Sequence, residues 1–370
     1  MLKYGYTVFD EDMNMKELNL TATDSRSVIL IEEGLLHRLP ELVRNLFPLS
    51  KVLIVTDENV EKLYGKSVYE SLARSGIPCV KKVLPFGERT KSFEYLNIIL
   101  DCLGENGFTR SDAVMALGGG VIGDLSGFAA ALWQRGMKLI QAPTTLLAQI
   151  DSSIGGKTAI DTKWGKNTIG AFKQPDLVCI DPQVLTTLSK TDFSAGMAEM
   201  IKYACIRDKE MFRILKTHSD NIFPHLSELI LQACKIKKEV VEEDCFDTGL
   251  RMILNFGHTV AHVLEGLNDF EGLPHGYAVA LGMIDITKRS EALGCTLSGT
   301  ADQIQKLCDA YGLPTEMPAV DKRAAVSFLL RDKKARSGQM NLVLLKEIGS
   351  CFIKKMDVGD AIQFLGWEEK

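Results

Sequence analysis

The chain has 370 residues, 46% hydrophobic and 25% charged, which is long enough for two domains with a substantial core. Its formal net charge is −5 and its basic residues are spread rather than clustered, which gives no support for a nucleic-acid partner. No run of about 18 apolar residues points to a membrane span, no apolar signal core opens the chain, and nine cysteines without a C-x-x-C pair suit a reduced, cytoplasmic protein.

The first 50 residues read as one or two strands, 28–32 being the clearest, and then an amphipathic helix around 36–46. A regular alternation follows. K-V-L-I-V-T (51–56) is a short apolar, β-branched run and hence a buried strand; 60–75 has helical spacing up to Gly76. Residues 80–84 form a second strand, 93–103 a helix closing at Gly107, and 113–117 a third strand ending in Gly118-Gly119-Gly120. A helix over 125–133 and strands at 138–142 and 177–180 complete the pattern. Strands alternating with helices predict a parallel, doubly wound sheet. From about Leu188 the pattern changes: 192–315 carries helical stretches at 195–203, 226–241, 251–267 and 276–293 and almost no strand signal. Residues 340–346 read as a late strand and 361–365 as the start of a closing helix. The expected organisation is an α/β, Rossmann-like dinucleotide-binding domain over 1–187 and an all-α metal-binding domain over 188–370.

G-G-G-V-I-G-D (118–124) follows a predicted strand and opens a predicted helix, and Gly118, Gly120 and Gly123 satisfy G-x-G-x-x-G. Glycines let the backbone approach a pyrophosphate, and the N–H groups at a helix start attract anions. The ribose-binding acid expected about 20 residues later is missing near Gln141–Pro143, so this is not the standard dinucleotide fingerprint; a tight packing turn is the bland alternative. D-S-S-I-G-G-K-T-A-I-D (151–161) and Gly165-Lys166-Asn167 place lysines beside glycines, as phosphate oxygens require, or form a solvated loop.

Three of the six histidines fall within 254–275: His258, His262 and His275. His258 and His262 share a face if the segment is helical, and His275 lies beyond a turn at Gly272 and Pro274. The cluster suits a metal or a proton; it also suits the polar edge of a helical core. Glu199, in G-M-A-E-M-I-K-Y, either pairs with Lys202 or completes a two-histidine, one-carboxylate metal set. Arg135, Lys237, Arg251, Lys333 and Lys334 are individually ordinary surface cations, but together they would suit an anionic substrate.

Taken together, G-G-G-V-I-G-D-L-S-G, P-T-T-L-L-A-Q-I-D-S-S-I-G-G-K-T, G-K-N-T-I-G-A-F-K-Q-P, A-G-M-A-E-M-I-K-Y, L-R-M-I-L-N-F-G-H-T-V-A-H and H-G-Y-A-V-A-L-G-M resemble the 3-dehydroquinate synthase family of sugar phosphate cyclases, from about residue 53 to 349. The resemblance implies NAD in the N-terminal domain, a catalytic Zn2+ (or Co2+) in the C-terminal one, a site in the cleft between them, and a homodimer. It makes Glu199, His258 and His275 the metal ligands and His262 a proton-handling group. NAD contacts would come from Asp57, Glu88, Lys91, Gly120, Val121, Ile122, Gly123, Asp124, Thr144, Thr145, Lys157, Lys166, Val184, Leu185, Thr186 and Thr187. Asp151, Lys157, Lys166, Asn167, Lys202, Lys237, Arg251 and Arg135 map to substrate-facing positions, with Arg135 reaching across the dimer and Lys333 or Lys334 adding a contact. Four positions depart from the family's usual residues: Tyr277 and Phe86 replace acids, Asp247 a glutamate and Asp161 an asparagine. The implied reaction converts 3-deoxy-D-arabino-heptulosonate 7-phosphate to 3-dehydroquinate and phosphate in the shikimate pathway, with NAD regenerated in each turnover. A metal-dependent polyol or alcohol dehydrogenase, a cyclase with another sugar phosphate, and a non-catalytic NAD- or sugar-phosphate-binding protein are the alternatives.

Overall fold

The computed structural model describes residues 15–22, 25–47, 51–267, 272–331 and 338–368. The chain forms two compact units, divided after Leu188.

In the first unit the strands are β1 (Lys16–Ala22), β2 (Ser25–Ile31), β3 (Val52–Asp57), β4 (Cys79–Leu84), β5 (Ala113–Gly118), β6 (Lys138–Pro143), β7 (Lys157–Thr162), β8 (Gly165–Phe172) and β9 (Leu177–Ile180). Its helices are α1 (Leu39–Leu46), α2 (Glu58–Val60), α3 (Lys66–Arg74), α4 (Phe93–Glu105) and α5 (Gly120–Leu132). Seven strands make one sheet in the order β1-β2-β9-β6-β5-β3-β4. β1 joins antiparallel to β2, and every other pairing in that sheet is parallel. Parallel strands are covered on both faces, and β3 shows it: Val52 and Ile54 enter one buried cluster, Leu53 and Val55 the opposite one.

The strand order turns at β3, whose chain successor β4 lies on one side while β5 lies on the other. Ligands of such sheets bind at this reversal, beyond the carboxyl ends of the strands. Asp57 ends β3 and Gly118 ends β5, so both lie at the reversal.

The second unit contains α6 (Lys190–Arg207), α7 (Lys209–Thr217), α8 (Leu226–Glu243), α9 (His258–Leu267), α10 (His275–Ala292), α11 (Thr300–Ala310), α12 (Lys322–Arg331) and α13 (Val358–Phe364). It also holds one antiparallel hairpin, β10 (Gln339–Glu347) with β11 (Ser350–Asp357), so the expected all-α domain carries a small sheet.

Three expected boundaries shift. The helix expected from 125 starts at Gly120, because helical geometry begins directly after the extended Gly119. The single helix expected over 251–267 is a 3-10 turn, Leu250–Asn255, then a bend, then α9. The bend sits at Gly257, whose φ of +80° interrupts any α-helix. The polar stretch after 151 is not a loop but largely the β7–β8 hairpin.

Candidate active site

Helix α6 is buried continuously from Ala195 to Ile206, which carries Glu199 and Lys202 into the interior at 0% and 1% side-chain exposure. Buried charges persist only when paired, and Lys202 Nζ forms an ion pair with Glu199 Oε2. His258 is the first residue of α9 and His275 the first of α10. Two glycines of α10 let these segments meet. A Cβ on Gly276 would collide with the Ala195 main chain of α6, and one on Gly282 with the Gly257 carbonyl just before α9. Backbone therefore lies against backbone next to each ligand-bearing turn.

The result is a convergent donor set. His275 Nε2 lies 3.3 Å and His258 Nε2 3.5 Å from Glu199 Oε1. One donor atom from each of the three residues falls within 4.8 Å of the others. The outer nitrogens are occupied: His258 Nδ1–H donates to Phe256 O at 3.1 Å, and His275 Nδ1–H donates to Glu265 Oε1 at 3.2 Å. These bonds fix the tautomer and turn both Nε2 atoms toward Glu199. Burial pushes the His258 imidazole down to about 3, against the pull of Glu199, so its Nε2 carries a lone pair. Burial would lower His275 as well, but its bonds to Glu199 and Glu265 outweigh it and hold the imidazole up at about 10. Two imidazole nitrogens and a carboxylate, each oriented by an outer partner, fit a divalent transition metal with an open position.

His262 follows one turn later on α9, exposed, with its ring edge-on to His258 at 5.6 Å between centroids. It lies beside the donor set rather than in it. Lys237 on α8 and Arg251 are only 5% and 3% exposed. Arg251 is fixed at both ends: its backbone N–H donates to Asp244 Oδ2 at 3.0 Å and its guanidinium to Cys245 O at 2.8 Å. Asp244 also accepts from the backbone N–H groups of Thr248 and Gly249, at 3.0 and 2.7 Å. Burial alone would raise its carboxyl, but these hydrogen bonds hold it at about 2.

Two supporting residues, Glu265 and Asp244, carry no motif. Glu265 was legible in principle, because 258, 262 and 265 follow the i, i+4, i+7 pattern of one helix face. Asp244 has no comparable signal.

In the first unit, Asp57 caps the helix after β3, accepting from Asn59 N–H at 2.9 Å and Val60 N–H at 3.0 Å. Across the strand reversal, Gly120, Val121, Ile122, Gly123 and Asp124 form the opening turns of α5. Gln141, near the position of the missing acid, donates to Gly123 O at 3.2 Å from a buried site. A Cβ on Gly123 would press on that amide at 2.9 Å. The glutamine thus packs the glycine turn where an acid would bind ribose in the standard fingerprint.

Lys91, buried, bridges Asp124 at 2.6 Å and Asn167 Oδ1 at 2.5 Å, and Lys166 approaches Glu88 at 3.6 Å. Thr144 N–H donates to Gly118 O at 3.0 Å, and Thr145 Oγ1 accepts from Ala148 N–H at 3.2 Å. Val184, Leu185, Thr186 and Thr187 belong to one 3-10 turn, Pro182–Thr187, and the Tyr64 hydroxyl meets Thr187 Oγ1 at 2.7 Å.

Asp151 is half-buried ahead of the hairpin, and Lys157 and Asn167 are exposed on β7 and β8. Arg135 stands apart from this cradle. It is exposed beyond the far end of α5, roughly 20 Å of helix from Gly120, with a left-handed φ of +67°. Lys333 and Lys334 lie outside the described residues.

Family models for the N-terminal and C-terminal parts of 3-dehydroquinate synthase match residues 81–195 and 196–335. A 3-dehydroquinate synthase from Clostridium acetobutylicum is 42% identical over 95% of this chain and 99% of its own length. Among solved structures, a 2-epi-5-epi-valiolone synthase from Streptomyces hygroscopicus with NAD+ and Zn2+ bound is 26% identical, with a TM-score of 0.83 over 94% of this chain and 98% of that one. A 2-deoxy-scyllo-inosose synthase complexed with carbaglucose-6-phosphate, NAD+ and Co2+ shares the fold at a TM-score of 0.85, with 22% identity over 95% of this chain and 99% of that one. Matched in both halves and over nearly its whole length, the chain belongs to the 3-dehydroquinate synthase family.

Proposed function

We infer that the protein converts 3-deoxy-D-arabino-heptulosonate 7-phosphate to 3-dehydroquinate and inorganic phosphate, within aromatic amino acid biosynthesis. The observation that carries the reading is the convergence of Glu199, His258 and His275 in a helical unit that also buries Lys202, Lys237 and Arg251. The donor set suits zinc and can also accept cobalt. When bound, NAD would accept a hydride from a carbinol carbon and later return it, and a divalent metal held by Glu199, His258 and His275 would acidify the hydroxyl on that carbon.

The remaining work falls to the chain. A ketone formed on the ring makes the adjacent C–H acidic, and we read His262 as the group that moves that proton at a ring nitrogen. Phosphate then leaves as the electron pair of the broken C–H bond forms the enone. Lys157 and Lys202 hold the phosphate, while Arg251 and Lys237 hold the carboxylate end. Arg251 is suited to that role because Asp244 and Cys245 O fix its backbone and guanidinium beforehand. Asp151, Lys166 and Asn167 are read as substrate-facing. Asp57, Glu88, Lys91, Gly120 to Asp124, Thr144, Thr145 and Val184 to Thr187 are read as the dinucleotide cradle. On this reading the enzyme is a carbon–oxygen lyase with a catalytic nicotinamide, and Arg135 serves a second copy in a homodimer.

The experiment is phosphate release from that sugar phosphate at substoichiometric NAD, with and without chelator. Many phosphates per NAD, abolished by the chelator and restored by zinc, is the expected result. NADH accumulating on simple polyols without phosphate would make the protein a dehydrogenase. Turnover of a different sugar phosphate would make it another cyclase.

A further inference from the structure

Strands β7 and β8 pair regularly from Lys157 opposite Phe172 to Ile160 opposite Ile169, but the next pair is Thr162 opposite Gly165. Asp161 alone on β7 therefore faces Lys166, Asn167 and Thr168 on β8, a bulge in the longer strand. Within it, Asn167 takes a left-handed φ of +55°, a conformation that asparagine reaches more readily than most residues with a Cβ.

Asp161 is bonded to the residue that takes it. Its Oδ1 accepts from the Asn167 backbone N–H at 2.7 Å. Its own backbone N–H donates to Lys91 O at 2.8 Å. Lys91 Nζ donates in turn to Asn167 Oδ1 at 2.5 Å, closing a loop of three hydrogen bonds. The same ammonium meets Asp124 of α5 at 2.6 Å, so the loop is pinned to the glycine turn.

We propose that Asp161 is a positioning residue whose carboxylate fixes Asn167 against Lys91 and so couples the sugar-phosphate contact to the dinucleotide contact within the first unit. This rests on the reading of Lys91 as an NAD contact and Asn167 as a substrate contact. The required atom is an acceptor oxygen, not a charge, so asparagine, the family's usual residue here, should serve as well. A second tie across the bulge, Thr162 Oγ1 to Thr168 Oγ1 at 2.7 Å, touches neither Lys91 nor Asn167.

The test uses the full chain with Asp161→Ala and Asp161→Asn. Amide hydrogen exchange over residues 165–168 reads the bulge directly, NAD titration reads the cofactor side, and KM against kcat for the sugar phosphate reads the substrate side. Loss of one hydrogen bond predicts, for Asp161→Ala, exchange about tenfold faster. NAD affinity and KM should each worsen by about tenfold with kcat little changed, while Asp161→Asn stays within about threefold of the parent on every readout. Unchanged exchange, NAD affinity and KM in Asp161→Ala would overturn the proposal, leaving the threonine pair to hold the bulge. Should Asp161→Ala not fold, Asp161→Asn decides alone: the proposal stands if that variant matches the parent and fails if it is impaired. An unsubstituted chain that releases no phosphate would sink the assigned reaction, while the exchange data would still decide whether Asp161 holds Asn167.

Discussion

Replacing Glu265 by glutamine removes a charge and almost no volume. Glu265 is 4% exposed and meets the candidate metal site through its 3.2 Å bond to His275 Nδ1. The carboxylate keeps His275 oriented and makes its Nε2 a better donor to a metal. Outer partners of this kind contribute about 10- to 100-fold to metal affinity. A bond of 3.2 Å lies at the long end of the normal range, so the lower figure applies: about tenfold, or about 1.4 kcal/mol. The assay is competitive zinc titration against a chromophoric chelator, with NAD affinity and melting temperature measured on the same samples. Zinc should weaken about tenfold in Glu265→Gln while NAD binding is unchanged. Equal zinc affinity in the variant and the parent would refute the argument that Glu265 supports the metal ligand.

Other outcomes follow from the same geometry. Glu199→Gln strands the buried Lys202 ammonium, so the metal-free variant should lose about 3 kcal/mol in urea unfolding as well as its metal. Gly276→Ala sets a helix-propensity gain of about 1 kcal/mol against a main-chain collision with Ala195. The collision should win, lowering stability by about 2 kcal/mol and weakening zinc, in calorimetry and in the chelator assay. The Asp244 carboxyl sits at about 2 in the folded chain, below the usual ~3.9 of an unfolded aspartate, so its contribution is complete above about pH 4 and is lost as pH falls toward 2. Asp244→Ala should therefore cost about 1 kcal/mol at neutral pH, allowing for solvent screening, and flatten the acid limb of a pH-stability profile.

The chemistry was more legible in the sequence than its mounting. β3, β5, β6 and β9 are short apolar runs buried on both faces, and such runs announce themselves. The glycine turn was visible for the same reason, since strand, glycines and helix follow in order. The start of α5 at Gly120 was hidden because glycine is a poor helix former in isolation and here serves contact rather than propensity. The β7–β8 hairpin was hidden because β8 is largely exposed and polar, without the alternation that marks a half-buried strand. The helix over 251–267 looked continuous because its apolar spacing spans Gly257, and only a positive φ reveals the break. Glu199 was read as a possible ligand from its motif, yet its convergence with His275 is a tertiary fact that no local spacing encodes. Asp161 read only as a departure from the family pattern, and its partners Lys91 and Asn167 lie 70 residues and 6 residues away along the chain.

The close seating of α10 against Ala195 and Gly257 bears on how the protein acquires its metal. Ligand spacing set by main-chain contact does not depend on the ion to draw the helices together. A chain built this way is expected to keep its site after the metal departs and to refill it without refolding. Intrinsic affinities of such nitrogen and oxygen sites rise along the first-row series toward copper. Occupancy in the cell then follows which ion is supplied, and the metal recovered with the purified protein records the growth medium as much as the protein's preference.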